Sequence, residues 1–317
     1  MSLYQSVRTI TQASGDGPVD WNAVGSAAAE ATAPGNLSLT KQEQVRYLED
    51  VRDARDAIRR TAAVDFDIPD MFEIQNRHHW IDANVATFRR VMEPIAAKQP
   101  SPAPGAAIVM NTGTMTGAMA FLARNVLGQY DPLLLTDDDD HGLYFVHPNI
   151  KRVAEELEVD YDLFRRWIVF HEVTHAAEFG SAPWLPDVLE THLLDGVDAL
   201  GRGRIDQSAF RSLDATMTAV EGYAELLMDA AFDQDATHLR EKLDERRRGG
   251  GPVLQLIRRL LGLNIKRRQY ERGKSFFEAI ASERGIDGAS VVWEDPEYLP
   301  SWEEFDEPNR WLDRVNP

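Results

Sequence analysis

The sequence predicts an α+β fold that is predominantly α-helical. Three observations carry that reading. Apolar residues recur at helical spacing along much of the chain, the β-prone runs are few and short, and 317 residues with 43% hydrophobic content can fill a sizeable core. The same content rules out a mainly disordered chain.

From the N-terminus, Trp21 to Ala33 reads as a helix with Asp20 as its N-cap, and "APGN" at 33–36 stops it. Thr40 followed three residues on by Glu43 fits a capping box, and Val45, Leu48, Val51, Ala54 and Ile58 keep helical spacing behind it. A further helix is expected over Arg77 to Met92, ended by Pro94. The Pro-rich "KQPSPAPG" at 98–105 reads as a linker. The expected organisation is a single domain over 1–317 with an N-terminal helical subdomain at about 1–97.

A helix near 112–126 is the longest apolar run, but it is short and contains Arg124, so it reads as a core helix and not a membrane span. "GQYDPLLLT" and "GLYFVHP" then flank "DDDD" as two β-prone runs, expected to form a hairpin or neighbouring strands. Helices follow at about Asn149 to Leu157 and from Asp160 to Glu178, the second closed by Gly180 and Pro183. Next come a helix over Ser212 to Phe232, two basic helices around "RRRGGGP", and an acidic tail containing Trp.

Acidic residues outnumber basic ones 52 to 34, and the net charge of −18 disfavours nucleic acid or an anionic membrane as partner. With 28 Arg against 6 Lys and the acidic run Asp137 to Asp140, the composition resembles the surfaces of proteins from salt-loaded cytoplasms. Arg240 to Arg272 gathers 11 cations, which read as partners for the acidic remainder, with a docking site for an anionic substrate or partner as the alternative, and Leu254, Ile257, Leu260 and Leu261 form a packing face. The N-terminus lacks the basic start and apolar stretch of a secretory signal, so the expected location is cytoplasmic. Cysteine is absent, so any transition metal must be held by histidines and carboxylates.

Within "FRRWIVFHEVTHAAEFGSAPWL", His171, Glu172 and His175 sit in the middle of an otherwise apolar helix. Burying three such groups is costly unless something pairs with them. Positions i and i+4 lie one above the other on a helix, so His171 and His175 can address one ion, with Glu172 a step round the helix as a non-ligand base. The metzincin continuation HExxHxxGxxH is absent, because Glu178 stands at its Gly and Ser181 at its last His. Glu178 shares the histidine face a turn further on and reads as a rim or outer group. In "MTAVEGYAELLMDAAF", Met217, Val220, Ala224, Leu227, Met228 and Ala231 give a helix its apolar face. Glu221 and Glu225 flank that face and call for a cation or donor, which makes Glu221 the leading third ligand. Glu190, His192 and Asp195 are the other candidates.

The arrangement resembles that of gluzincins, in which a helix after HExxH supplies a Glu ligand and an acid four residues on holds a ligand imidazole. By that resemblance His171, His175 and Glu221 hold one Zn2+ ion per chain, and Glu225 orients His171. Val220, where thermolysin-like members have Asn, and the 45 residues between His175 and Glu221 depart from that branch. More widely, "VLGQYD", "FVHPNI", the motif segment, "VEGYAELLMD", "RRRGGGPVLQLIRRLLGLNIKRRQYERGKSFFEAI" and "VVWEDPEYLP" occur in an order that resembles the zincin-like type 2 metallopeptidase family. The resemblance runs from about residue 120 to the C-terminus. It implies a zincin-like core with a small β-sheet or hairpin beside the HExxH helix, and a zinc hydrolase of unassigned substrate. The family's occurrence also goes with organisms that make the deazaflavin coenzyme.

Such a site implies a zinc-dependent metallopeptidase in which Glu172 activates the attacking water, with a peptide or protein as substrate. Tyr223 and His238 are the candidate donors to the developing oxyanion, Tyr223 reading equally as a core residue. An extended substrate is expected along an edge strand beside the motif helix, at "GLYFVHP". His78, His79, His141 and His147 read as surface or structural. The alternatives are a non-catalytic zinc-binding scaffold, which would have no use for Glu172, or a zinc hydrolase acting on a non-protein amide.

Overall fold

A computed structural model describes residues 3–15, 17–62, 72–97, 103–131, 142–201, 211–248 and 268–317. In chain order its first elements are α1 (Leu3–Thr11), α2 (Trp21–Ala31), α3 (Lys41–Thr61), β1 (Phe72–Gln75), α4 (Arg77–Ala97) and α5 (Pro104–Asn125). Then follow β2 (Gly128–Asp131), β3 (Gly142–Val146), α6 (His147–Leu157), α7 (Tyr161–Ser181), α8 (Leu185–Gly201) and α9 (Arg211–Ala231). The last are α10 (Thr237–Arg248), α11 (Arg268–Ser290) and α12 (Pro308–Val315). The predominantly helical α+β expectation holds.

The caps expected from sequence are formed. Asp20 Oδ1 accepts from the Ala23 N–H at 3.0 Å. Thr40 and Glu43 exchange both capping-box bonds, at 3.1 Å into the Thr40 hydroxyl and 2.8 Å from the Thr40 N–H. The buried stripe on α3 is Tyr47, Val51, Ala54 and Ile58, while Val45 and Leu48 are each 50% exposed. The difference comes from Tyr47, whose ring packs on Phe145 at 5.7 Å and sets which face turns inward. α4 runs past Pro94 to Ala97, since one proline near a helix end removes a single donor and not the whole ladder. Pro104 opens α5 from its first turn, where the missing N–H is not needed, so that helix starts well before residue 112.

The sheet has the order β1-β3-β2. β2 and β3 pair antiparallel as expected, with Gln129 opposite Tyr144 and Tyr130 opposite Leu143. The unexpected strand is β1, parallel to β3 with Phe72 opposite Leu143. Four residues are too few to show an alternating pattern, so β1 was not visible in the sequence. Its pairing makes "GLYFVHP" the central strand and leaves β2 as the edge, which corrects the expected position of the substrate strand. Asp137 to Asp140, His141, and Leu254, Ile257, Leu260 and Leu261 of the basic segment lie outside the described residues.

Two cores result. The larger gathers α3, α6, α7, α9 and α11 with Phe145 of the sheet, around Trp167, Phe170, Tyr223 and Phe277. The smaller joins α2, α4 and α5 through Val24, Trp80, Ile81 and Met119. α5 is long and apolar enough to cross a membrane by length and composition, and Met115, Met119 and Leu122 on it are buried in this second core.

Two contacts lock the elements that matter for the site. Near the start of α7, Arg165 bonds Asp50 of α3 at 2.8 Å, and Arg166 reaches Asp53 at 2.8 Å and Asp233, after α9, at 3.0 Å. On the far side of α9, Gly222 faces Gly273 of α11 so closely that a side chain on either would overlap the opposing backbone.

Candidate metal centre

Along α7 every side chain from Phe164 to Glu178 is buried except His171 and His175, which are half-buried. The Asp160 side chain caps the helix by accepting from the Leu163 N–H at 2.8 Å, and the helical repeat then stacks the two imidazoles. Their Nε2 atoms lie 3.3 Å apart and their rings meet edge to face at 80°. Glu221 comes in from α9, and one ligand atom from each of the three lies within 4.8 Å of the other two. Among the described residues this is the one group of three or more such side chains, so Glu190, His192 and Asp195 stand outside it. His192 instead meets the Thr216 hydroxyl at 3.3 Å.

The geometry suits a divalent cation. Zinc–nitrogen bonds of about 2.0–2.1 Å at a tetrahedral angle would hold two nitrogens roughly 3.3 Å apart, which is the spacing seen. The electrostatics agree. Burial works against a charge on His175, but the bond to Glu178 and the charges of Glu178, Glu221 and Glu172 outweigh it and raise its pKa to about 10. With three carboxylates around two imidazoles, the cluster draws in a proton when no metal is bound, which is what a cation site does.

Glu172 lies against β2, its side chain beside Gly128, and feels the charges of both His175 and Glu221. Burial raises its pKa to about 7, against the charge of His175 and a hydrogen bond from the Tyr130 backbone N–H, while Glu221 raises it further. Val146 N–H donates to Leu127 C=O at 2.8 Å, so by antiparallel alternation Gly128 and Tyr130 turn their backbone groups to the side of β2 that no other described strand pairs, the side where Glu172 lies. The strand is held from both faces. The Gln129 side chain accepts from Trp80 Nε1 at 2.7 Å and donates to Asn84 at 2.9 Å, and the Tyr130 ring packs on Phe179 of α7.

Of the two places expected for Glu178, the structure gives the outer group behind a ligand. It is no rim group: it is 1% exposed, and its Oε2 lies 2.7 Å from His175 Nδ1. Its pKa is raised to about 7 by burial, against His175. The apolar neighbours Ala176, Ala177 and Phe179 are the sequence signal that could have placed it inside. Gly128 and the Tyr130 N–H carried no such signal, because their roles depend on which strand meets the helix.

The candidate donors do not join the group. Tyr223 is fully buried, its hydroxyl 2.7 Å from Ser290 Oγ and its ring against Phe277 and Trp293. Two residues beyond Glu221 turns it to the other side of α9. His238 is exposed on α10, outside the ligand group. Met217 is 38% exposed and so is not part of the core stripe, while Val220, Ala224, Leu227, Met228 and Ala231 are buried. Glu225 is half-buried one turn beyond Glu221 on the same face of α9. His78 meets the Thr32 carbonyl at 2.7 Å, and His147 is buried between the hydroxyls of Tyr47 and Tyr161.

Comparison with known proteins gives the same direction. No curated protein matches the chain. A Chloroflexus aurantiacus protein, whose crystal structure carries the provisional designation of a hydrolase with a novel fold, is 30% identical with a TM-score of 0.80, over 94% of this chain and 99% of that one. The family model described as zincin-like metallopeptidase matches residues 19–208 and 202–312. The family implies a metal, and both findings support a hydrolase. A match spanning nearly the whole length establishes that this chain belongs to the zincin-like metallopeptidase family.

Proposed function

We propose that the protein is a zinc-dependent peptidase of gluzincin type, with His171, His175 and Glu221 as ligands of one zinc ion and Glu172 as general base. The observation that carries the reading is the pair of Nε2 atoms 3.3 Å apart with the Glu221 carboxylate beside them. Zinc, when bound, supplies Lewis acidity that polarises a carbonyl and makes water nucleophilic near neutral pH.

The chain's own residues do the rest. Glu172, with its pKa near 7, is suited to take a proton from the attacking water and hand it to the leaving amine. The Tyr130 N–H holds its carboxylate in place. The edge of β2 that no described strand pairs offers the backbone groups of Gly128 to an extended peptide, which would add a strand beside Glu172. Glu225, one turn beyond Glu221, is the proposed partner of His171.

The test is metal analysis and peptide hydrolysis on wild type, Glu221→Ala and Glu172→Gln. Wild type should hold about one zinc per chain and Glu221→Ala should lose most of it. Glu172→Gln should keep the metal and lose hydrolysis. Full metal occupancy in Glu221→Ala would remove the ligand assignment.

A further inference from the structure

We infer that Glu178 is the positioning residue of His175, fixing which imidazole nitrogen faces the metal and adding to the negative charge that retains it. The inference rests on the metal-centre reading above and deepens it.

An imidazole can place its proton on either nitrogen, and only the other can ligate. His175 turns Nε2 towards His171 Nε2 at 3.3 Å, and its Nδ1 lies 2.7 Å from Glu178 Oε2. With the Nδ1 proton donated to that carboxylate, the lone pair must stand on Nε2, on the side shared with His171 and Glu221. Both residues belong to the same helix, three positions apart, so the arrangement is rigid and does not depend on another element docking.

The second oxygen of Glu178 bears on the same point. Oε1 is buried and has no hydrogen-bond partner among the described residues. A carboxylate that is 1% exposed and bonded through only one oxygen is an unfavourable choice for packing alone, since an apolar side chain would fill the space without that cost. The charge is compensated once a cation sits on the imidazole it holds. A buried polar group kept in spite of an incomplete set of bonds points to the site it serves.

The experiment measures zinc affinity, by chelator competition, for wild type, Glu178→Gln, Glu178→Ala and Glu221→Ala, with the melting temperature of each metal-free protein alongside. Glu178→Gln keeps an acceptor for the Nδ1 proton but loses the charge, and its affinity should fall about tenfold. Glu178→Ala loses both and should fall about a hundredfold. Metal-free Glu178→Gln should melt no lower than wild type, and the absorption spectrum of cobalt(II) in its site should shift. Wild-type affinity in both variants overturns the inference and leaves the metal centre standing. Weaker binding accompanied by an equal loss of metal-free stability would make Glu178 merely structural, and also overturns it. Absence of zinc binding by wild type, or wild-type affinity in Glu221→Ala, instead brings down the metal-centre reading, and the inference with it.

Discussion

Glu172 lies flat against Gly128: a Cβ at position 128 would stand 2.5 Å from Glu172 Cγ and 2.8 Å from its Oε1. The contact joins the motif helix to the edge strand at the atom proposed to move protons. Any side chain on this strand position must push the carboxylate away from the Tyr130 N–H.

Gly128→Ala should therefore keep its zinc and lose activity. Displacing a reacting group by about 1 Å costs on the order of a hundredfold in rate. Metal content and peptide hydrolysis on the same sample check this. Unchanged hydrolysis would mean that Glu172 does not need its present position.

Gly222→Ala should destabilise the protein by about 1–3 kcal/mol, because its Cβ would overlap the Gly273 backbone and force α9 and α11 apart. Glu221 is the adjacent residue, so zinc affinity should fall as well. Gly117→Ala makes a control. Gly117 is exposed on α5 with nothing near its missing Cβ, and there alanine should stabilise by about 0.5–1 kcal/mol. Urea unfolding of both variants in chelator reads the difference.

Asp50→Ala should cost about 1–3 kcal/mol, since it removes the buried carboxylate shared by Arg165 and Arg166, whose side chains are 3% and 9% exposed. Arg166 keeps Asp53 and Asp233 and Arg165 keeps Asp162 at 2.6 Å, so neither guanidinium is left without a carboxylate. Urea unfolding at neutral pH measures it. A change under 1 kcal/mol would show that the network contributes little.

His147 should make stability fall with acid. Burial lowers its pKa from 6.5 to about 4, with Glu43 opposing and Lys151 and Arg165 assisting. The folded state then binds the proton less readily than the unfolded chain. Its contribution is complete above about pH 6.5 and declines as pH falls towards 4, by at most about 3 kcal/mol. Unfolding of wild type and His147→Gln between pH 7.5 and 4 should show the variant gaining on wild type across that window. Parallel curves would assign the acid sensitivity to other groups.

What could be read from the chain and what could not divides by distance along it. The stacking of His171 on His175, the Asp20 and Thr40 caps, and the antiparallel partnership of β2 with β3 are set within a few residues or by neighbouring runs. Glu178 was visible as a residue on the right face, but not as the carboxylate bonded to His175. The bond itself spans less than a turn of α7; what the sequence did not show is that the pair is buried, a consequence of α3, α9 and β2 all packing on the helix. Tyr223 shows the converse. Its chemistry suited an oxyanion donor, and only the packing of α9 on α11 shows its hydroxyl committed to Ser290.

By itself, then, the sequence determined the helical period, the caps and the pair of imidazoles on one face, because those follow from local backbone geometry. Tertiary structure decided that Glu221 meets them, that Glu172 rests on a glycine of an edge strand, and that β3 lies inside the sheet. These depend on which surfaces bury each other, and burial is a property of the assembled fold that no short stretch of chain contains.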